Sequence, residues 1–134
     1  MQAVGLVVEY NPFHNGHLHH VQQAKLSTQA DVAVAVMSGQ FLQRGEPALV
    51  DKWHRTKMAL ASEVDVVIEL PYIFSTAQAN QFASGAVQLL QAMQCSYLAF
   101  GSEQGSIEPF LNSYHLIDSN RVKYDQIIRE SVQQ

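Results

Sequence analysis

AVGLVVEYNPFHNGHLHH, running from Ala3 to His20, joins three signals in one short stretch. The apolar and partly β-branched run Ala3 to Val8 stops at Asn11-Pro12, so it reads as a buried strand feeding a loop. That loop carries His14-Asn15-Gly16-His17. From His17 to about Thr28 the apolar positions Leu18, Val21 and Leu26, with Ala24 between them, predict an amphipathic helix that starts at the glycine. Strand, polar loop and helix in this order form the opening half of a β-α-β unit.

The rest of the chain repeats the pattern. Asp31 to Met37 (DVAVAVM) is a second valine-rich strand, followed by a long loop, SGQFLQRGEPALV. Asp51 is placed to cap a helix reaching about Ser62. Asp65 to Leu70 (DVVIEL) is a third strand, stopped by Pro71, after which Tyr72 to Ala79 reads as loop and Asn80 to Met93 as helix. Ser96 to Phe100 is a fourth strand ending in Gly101-Ser102-Glu103, and Ile107 to Ile117 and Val122 to Val132 read as two further helices. Apolar strands alternating with helices of this length predict an α/β fold with a doubly wound parallel sheet, covered on both faces. Ligands of such sheets sit beyond the carboxyl ends of the strands, where the strand order reverses. NPFHNGH, SGQFLQRGEP and GSE all fall at strand ends and are expected to converge there.

With 134 residues, nearly half of them hydrophobic, the chain is expected to form one domain over 1–134. A net charge of -4, with 8 basic residues spread from Lys25 to Arg129, argues against nucleic-acid binding driven by bulk charge but leaves room for a local basic patch. The lone Cys95 excludes an internal disulfide and a cysteine-based zinc cluster, which favours a reducing cytoplasm. The first apolar run is too short, and lacks the basic flank, for a signal peptide or a membrane span.

A helix N-terminus offers a phosphate unpaired N–H groups and the positive end of the helix dipole. Gly16 is expected to keep that approach clear, with His14 and His17 flanking the bond between the α- and β-phosphates of a nucleotide. Nucleotidyl transfer needs no protein nucleophile; it needs in-line placement and stabilisation of charge on the departing pyrophosphate. Imidazoles suit that task because they donate hydrogen bonds and can gain charge. Mg2+ bridging the phosphates is expected. His14, His17 and His20 are also spaced as metal ligands, but zinc would want a further ligand of defined geometry, where the sequence offers Glu9 and His19, and there is no HExxH pattern. No metal site on the protein itself is expected. Neither a Walker loop nor GxGxxG exists in the chain, so phosphate binding falls to HNGH.

An N-terminal strand, Asn-Pro-Phe and a helix opening around HNGH resemble the HxGH nucleotidyltransferase signature, which implies a Rossmann-like domain. More specifically, GLVVEYNPFHNGHLHH, MSGQFLQRGEPALVDKWHR, VDVVIELP and FGSE, in that order, resemble the bacterial tRNA(Met) cytidine acetate ligase family. The resemblance covers essentially the whole chain. It implies an enzyme that uses ATP to activate acetate as acetyl-adenylate and then acetylates the wobble cytidine of elongator tRNA(Met) to N4-acetylcytidine. It implies a nucleotide site formed by Val7, Val8, Glu9, Tyr10, Asn11, Pro12, Phe13, His14, Asn15, Gly16, His17, Leu18, His19 and His20, with His14 and His17 as the signature histidines and Gly101 as a further ATP contact. Arg44, Lys52 and Arg55 are candidates for phosphate or tRNA contact, set against a solvated loop and helix face. Family members are longer, so this chain is expected to stand for their N-terminal part, and most of the tRNA-binding part is expected elsewhere. Two other readings are another HxGH nucleotidyltransferase of small-molecule metabolism and a nucleotide-binding module without turnover.

Among the remaining landmarks, Trp53 is expected in the core rather than stacked on a base, and Tyr72, Phe74 and Phe82 are expected to fill core beneath the long loop rather than to line a pocket. Glu69 is expected to meet solvent at its strand end. His54 and His115 carry no partner pattern.

Overall fold

A computed structural model describes residues 1–103 and 105–132. Four strands, β1 (Ala3–Val8), β2 (Val32–Ser38), β3 (Val66–Leu70) and β4 (Tyr97–Ala99), form one sheet in the order β3-β2-β1-β4, and every neighbouring pair is parallel. The chain steps outward from β1 to β3 and then crosses back to place β4 on the far side of β1. The order therefore reverses between β1 and β4, the kind of switch at which doubly wound sheets open a crevice.

Alternation along the strands assigns the two faces. Val4 and Leu6 of β1 with Ala33, Ala35 and Met37 of β2 form one core with Val21 and Ala24 of α1 (Asn15–Thr28) and Ala59 of α2 (Lys52–Leu60). Val34 and Val36 face the opposite way and pack with Leu70 and with Ala86 and Leu90 of a later helix (Ala79–Ala92). Side chains of this kind each contribute roughly 1.5–3 kcal/mol on burial. A sheet sealed on both faces needs strands that are apolar throughout, which is why β1 and β2 read as continuous runs.

Asp51 caps α2 as expected, its Oδ1 accepting the N–H groups of Trp53 at 2.9 Å and His54 at 3.1 Å. Two expectations are corrected. Residues Tyr72–Ser75, expected as loop, form a short helix, α3, because Pro71 O accepts from Phe74 and Ser75 while Phe74 is anchored in the second core. Trp53 and Tyr72 lie outside the core, 67% and 66% exposed. Phe74 and Phe82 do pack against it, Phe82 from α4 (Ala79–Ala92).

The chain divides into two compact units, Met1–Phe100 and Gly101–Gln134. The second contains α5 (Glu108–Ser119) and α6 (Arg121–Val132), neither of which has a fully buried residue. Among the described residues no helix is long and apolar enough to cross a membrane.

Arg55 is the largest fully buried side chain. Its Nε donates to Val50 O at 2.8 Å, one terminal nitrogen donates to Glu9 O at 2.6 Å and Ser38 O at 3.0 Å, and the other donates to Gly39 O. These carbonyls belong to the ends of β1 and β2 and to the segment entering α2. Burial lowers the proton affinity of the guanidinium, and the charges of Glu9, Asp51 and Glu69 oppose that shift. Each buried carbonyl left without its donor costs about 1–3 kcal/mol, so Arg55→Met is expected to lower stability by roughly 3 kcal/mol or more, read as a fall in the urea midpoint. Arg55→Lys keeps the charge but not the fork and is expected to fall between the two. A midpoint unchanged in Arg55→Met would contradict this assignment.

Candidate nucleotide site

Beyond Val8 the chain reverses sharply. Tyr10 adopts a left-handed backbone with φ 50°, a conformation that costs a side-chain-bearing residue on the order of 1 kcal/mol, and the Asn11-Pro12 peptide is cis. The Tyr10 ring is buried, 4.7 Å from Phe13 and 4.9 Å from His17 between centroids, and this packing holds the turn. Burial pushes the Tyr10 phenol up to about 12, so it stays protonated.

His14 is the N-cap of α1, which therefore begins at Asn15, ahead of the expected start. Its Nδ1 accepts the Gly16 N–H at 3.1 Å, and the Nδ1 of His17 accepts the His14 N–H at 3.3 Å. Both rings thus do what a capping box normally assigns to Ser and Glu. Because a backbone N–H can only donate, each Nδ1 must be unprotonated, and the proton of each neutral ring sits on Nε2. The rings stack with centroids 3.7 Å apart. Gly16 is needed for this stack rather than for a ligand alone: a Cβ there would lie 2.9 Å from Cε1 of His14. The N–H groups of His17 and Leu18 are taken by His14 O, at 2.9 and 3.2 Å. The N–H groups of Gly16, His17 and Leu18 are therefore paired within the turn rather than forming the open row expected, and the tautomer leaves an Nε2–H on each ring.

Burial pulls the His17 pKa down, and His14 and His20 add to the shift. His20 is also pulled down by burial, with His19 adding, and its Nε2 is buried without a partner among the described residues. No group of three metal-ligating side chains occurs among the described residues, so His14, His17 and His20 do not assemble into a metal centre.

The second loop meets the first. Glu9 Oε1 accepts the Gln43 N–H at 2.9 Å, and Asn11 Oδ1 accepts that of Leu49 at 2.7 Å. Arg44 stands exposed in a turn closed by Gly45 N–H on Leu42 O at 2.8 Å, with Leu42 buried and Gly45 at φ 80°. Lys52 pairs with Glu69 at 2.6 Å, so Glu69 meets an ammonium rather than solvent alone. Arg55 is a correction: a fully buried guanidinium that holds four carbonyls neither forms a solvated helix face nor presents itself to RNA. No loop signal marked it, although a long irregular segment with buried carbonyls demands donors from somewhere.

Of the residues expected to bind nucleotide, Tyr10 and Val8 turn their side chains into the first core and Val7 into the second, which leaves their backbone at the sheet edge. Asn11, Phe13, His17, Leu18 and His20 are half-buried, and Pro12, His14, Asn15, Gly16 and His19 are exposed. Gly101 lies in the second unit, where it lines a cavity with Ser102, Glu103, Pro109, Phe110 and Ser113. His54 has a partner after all, the Asp51 carboxylate, which is held below the usual carboxylate range chiefly by that contact.

The family described as HIGH Nucleotidyl Transferase matches residues 1–134. The chain belongs to this family. It is 65% identical over 132 residues to a Lysinibacillus sphaericus protein named tRNA(Met) cytidine acetate ligase, covering 98% of this chain and 33% of the relative. The Bacillus subtilis protein of the same name is 60% identical over 132 residues, covering 98% and 32%. The chain thus spans about a third of the length of the curated relatives it matches. Thermotoga maritima TmcAL bound with alpha-thio ATP superposes with a TM-score of 0.85 at 46% identity, covering 99% of this chain and 32% of that one. A lipopolysaccharide core biosynthesis protein from Thermoplasma volcanium shares the fold alone, with a TM-score of 0.57 at 19% identity.

In this HIGH nucleotidyltransferase chain His17 and His20 titrate with a definite sign. His17 takes up its proton at a lower pH when folded than in the unfolded chain, where it does so near pH 6.5. Its contribution is therefore complete above about pH 6.5 and is lost as pH falls from there toward the lowered folded value. Thermal denaturation between about pH 8 and pH 5 is expected to show a Tm that falls more steeply in the wild type than in His17→Gln, with a residual slope from His20. Parallel Tm curves for the two proteins would contradict the neutral cap.

Proposed function

We propose that this chain supplies the ATP-handling part of a tRNA(Met) cytidine acetate ligase of the cytoplasm. The observation that carries the reading is the reciprocal cap at the start of α1, in which the Nδ1 of each histidine accepts a backbone N–H and Nε2 is left to donate. The relatives' shared name and the alpha-thio ATP in the Thermotoga neighbour support it.

In this reading the triphosphate lies over the N-terminus of α1, where the helix dipole favours negative charge. His14 and His17 donate from Nε2 to phosphate oxygens around the α-β bridge. An acetate oxygen attacks the α-phosphorus; a new P–O bond forms, the bond to the bridging oxygen breaks, and pyrophosphate leaves with the electron pair. The imidazoles hold the charge that grows on the departing oxygen. They do so as neutral donors, because a second proton would have to sit on Nδ1 and displace a backbone N–H. Mg2+ carried by the phosphates would neutralise charge there. The acetyl-adenylate then acetylates the wobble cytidine of tRNA(Met) at N4, with release of AMP.

Calorimetric titration of the chain with ATP tests the nucleotide loop. His14→Ala and His17→Ala are each expected to weaken binding roughly tenfold or more, as loss of a hydrogen bond to a charged group does. Helical content from circular dichroism separates loss of contact from loss of α1. ATP affinity equal in wild type and His17→Ala would sink the proposal.

A further inference from the structure

On the α4 side of the sheet, beyond the carboxyl end of β1, a cavity of about 420 Å3 is lined by Val7, Glu9, Gln43, Arg44, Ala79 and Phe82. Its composition is unlike that of a phosphate site. Val7 and Phe82 belong to the second core, so one wall is apolar, includes an aromatic ring and is fixed by packing. Facing chemistry comes from Glu9 and Arg44, whose opposite charges offset each other.

Glu9 is tightly placed. Its carbonyl accepts from Arg55 at 2.6 Å, and its Oε1 accepts the Gln43 N–H at 2.9 Å, which leaves Oε2 as an acceptor for a ligand. Gln43 is held in turn by its Nε2, which donates to Ala77 O at 3.2 Å. Arg44 is exposed beside them and brings only donors. A fixed carboxylate acceptor next to a guanidinium, over an apolar wall, suits a flat neutral ring that carries an amine beside ring acceptors. An anionic ligand would meet Glu9 and gain little from the site.

Cytosine has that edge: its exocyclic amine donates, and N3 and O2 accept. A carboxylate accepting from the cytosine amine and arginine donating to base acceptors are recurrent pairings in base recognition. We propose that this cavity receives the cytosine ring of the acceptor nucleoside, with Glu9 taking the N4 amine, Arg44 donating to the ring acceptors, and Phe82 forming the wall. The assignment rests on the acceptor named under the proposed function. Uracil presents a carbonyl where cytosine presents the amine, so Glu9 would discriminate against it.

The chain is titrated with cytidine and with uridine, each with and without saturating ATP, and affinities are read from ligand-observed and amide NMR shifts. Cytidine is expected to bind at least tenfold more tightly than uridine and to bind together with ATP. Glu9→Gln is expected to remove that preference, and Phe82→Leu to weaken both nucleosides while keeping it, with amide spectra confirming that both variants fold. Equal affinity for the two nucleosides overturns the proposal. So does displacement of cytidine by ATP, which would assign the cavity to adenine, or an undiminished preference in Glu9→Gln. Cytidine selectivity that persists in a chain with no affinity for ATP supports the cavity and counts against the nucleotide loop instead.

Discussion

A single buried guanidinium organises the carboxyl edge of this sheet. Arg55 reaches from α2 to carbonyls at the ends of β1 and β2 and in the segment that enters its own helix. A parallel sheet leaves its last carbonyls without partners at the carboxyl edge, and a long loop crossing that edge adds more. One arginine fork satisfies several at once and fixes their spacing. Glu9 is thereby set at the end of β1, immediately before the strained Tyr10 turn, and everything that follows in the first loop inherits its position.

From that anchor the loop builds its own order. Tyr10 is wedged against Phe13 and His17, and the two histidines cap α1 through their Nδ1 atoms. This is a pre-organised arrangement: the two rings are stacked and fixed before any ligand arrives, and their tautomer is set by backbone hydrogen bonds. Such fixed dipoles do the most work where charge develops during transfer, because no reorganisation is required at that moment. The same cap leaves no room for a side chain at Gly16, whose Cβ would meet the His14 ring.

Much of this was legible from residue patterns, for reasons that differ by element. The strands are apolar on both faces, so β1 was bounded correctly from Ala3 to Val8, and the Asp51 cap was readable because a short carboxylate ahead of a helical run has one common use. HNGH was legible as a strand-to-helix turn because a glycine between two histidines follows an apolar strand and opens a helix. The capping role of the rings was not, since imidazole is an uncommon N-cap and its tautomer depends on the folded backbone. Arg55 escaped because an arginine in KWHRTKMAL looks like one more solvated cation, and Trp53 misled because bulk suggests burial while its register on α2 turns it outward. The short α3 was hidden by Pro71, which stops a strand but also starts a helix.

The claim on which the functional reading turns is that His14 and His17 are neutral rings protonated at Nε2 and poised for phosphate. Long-range 1H–15N correlation of the imidazoles at neutral pH, repeated as ATP is added, observes it directly. Both rings should show an unprotonated Nδ1 and a protonated Nε2 before ATP is added, and the Nε2 resonances should move on binding while the Nδ1 pattern stays. A ring protonated at Nδ1, an imidazolium at neutral pH, or Nε2 resonances indifferent to saturating ATP would contradict it.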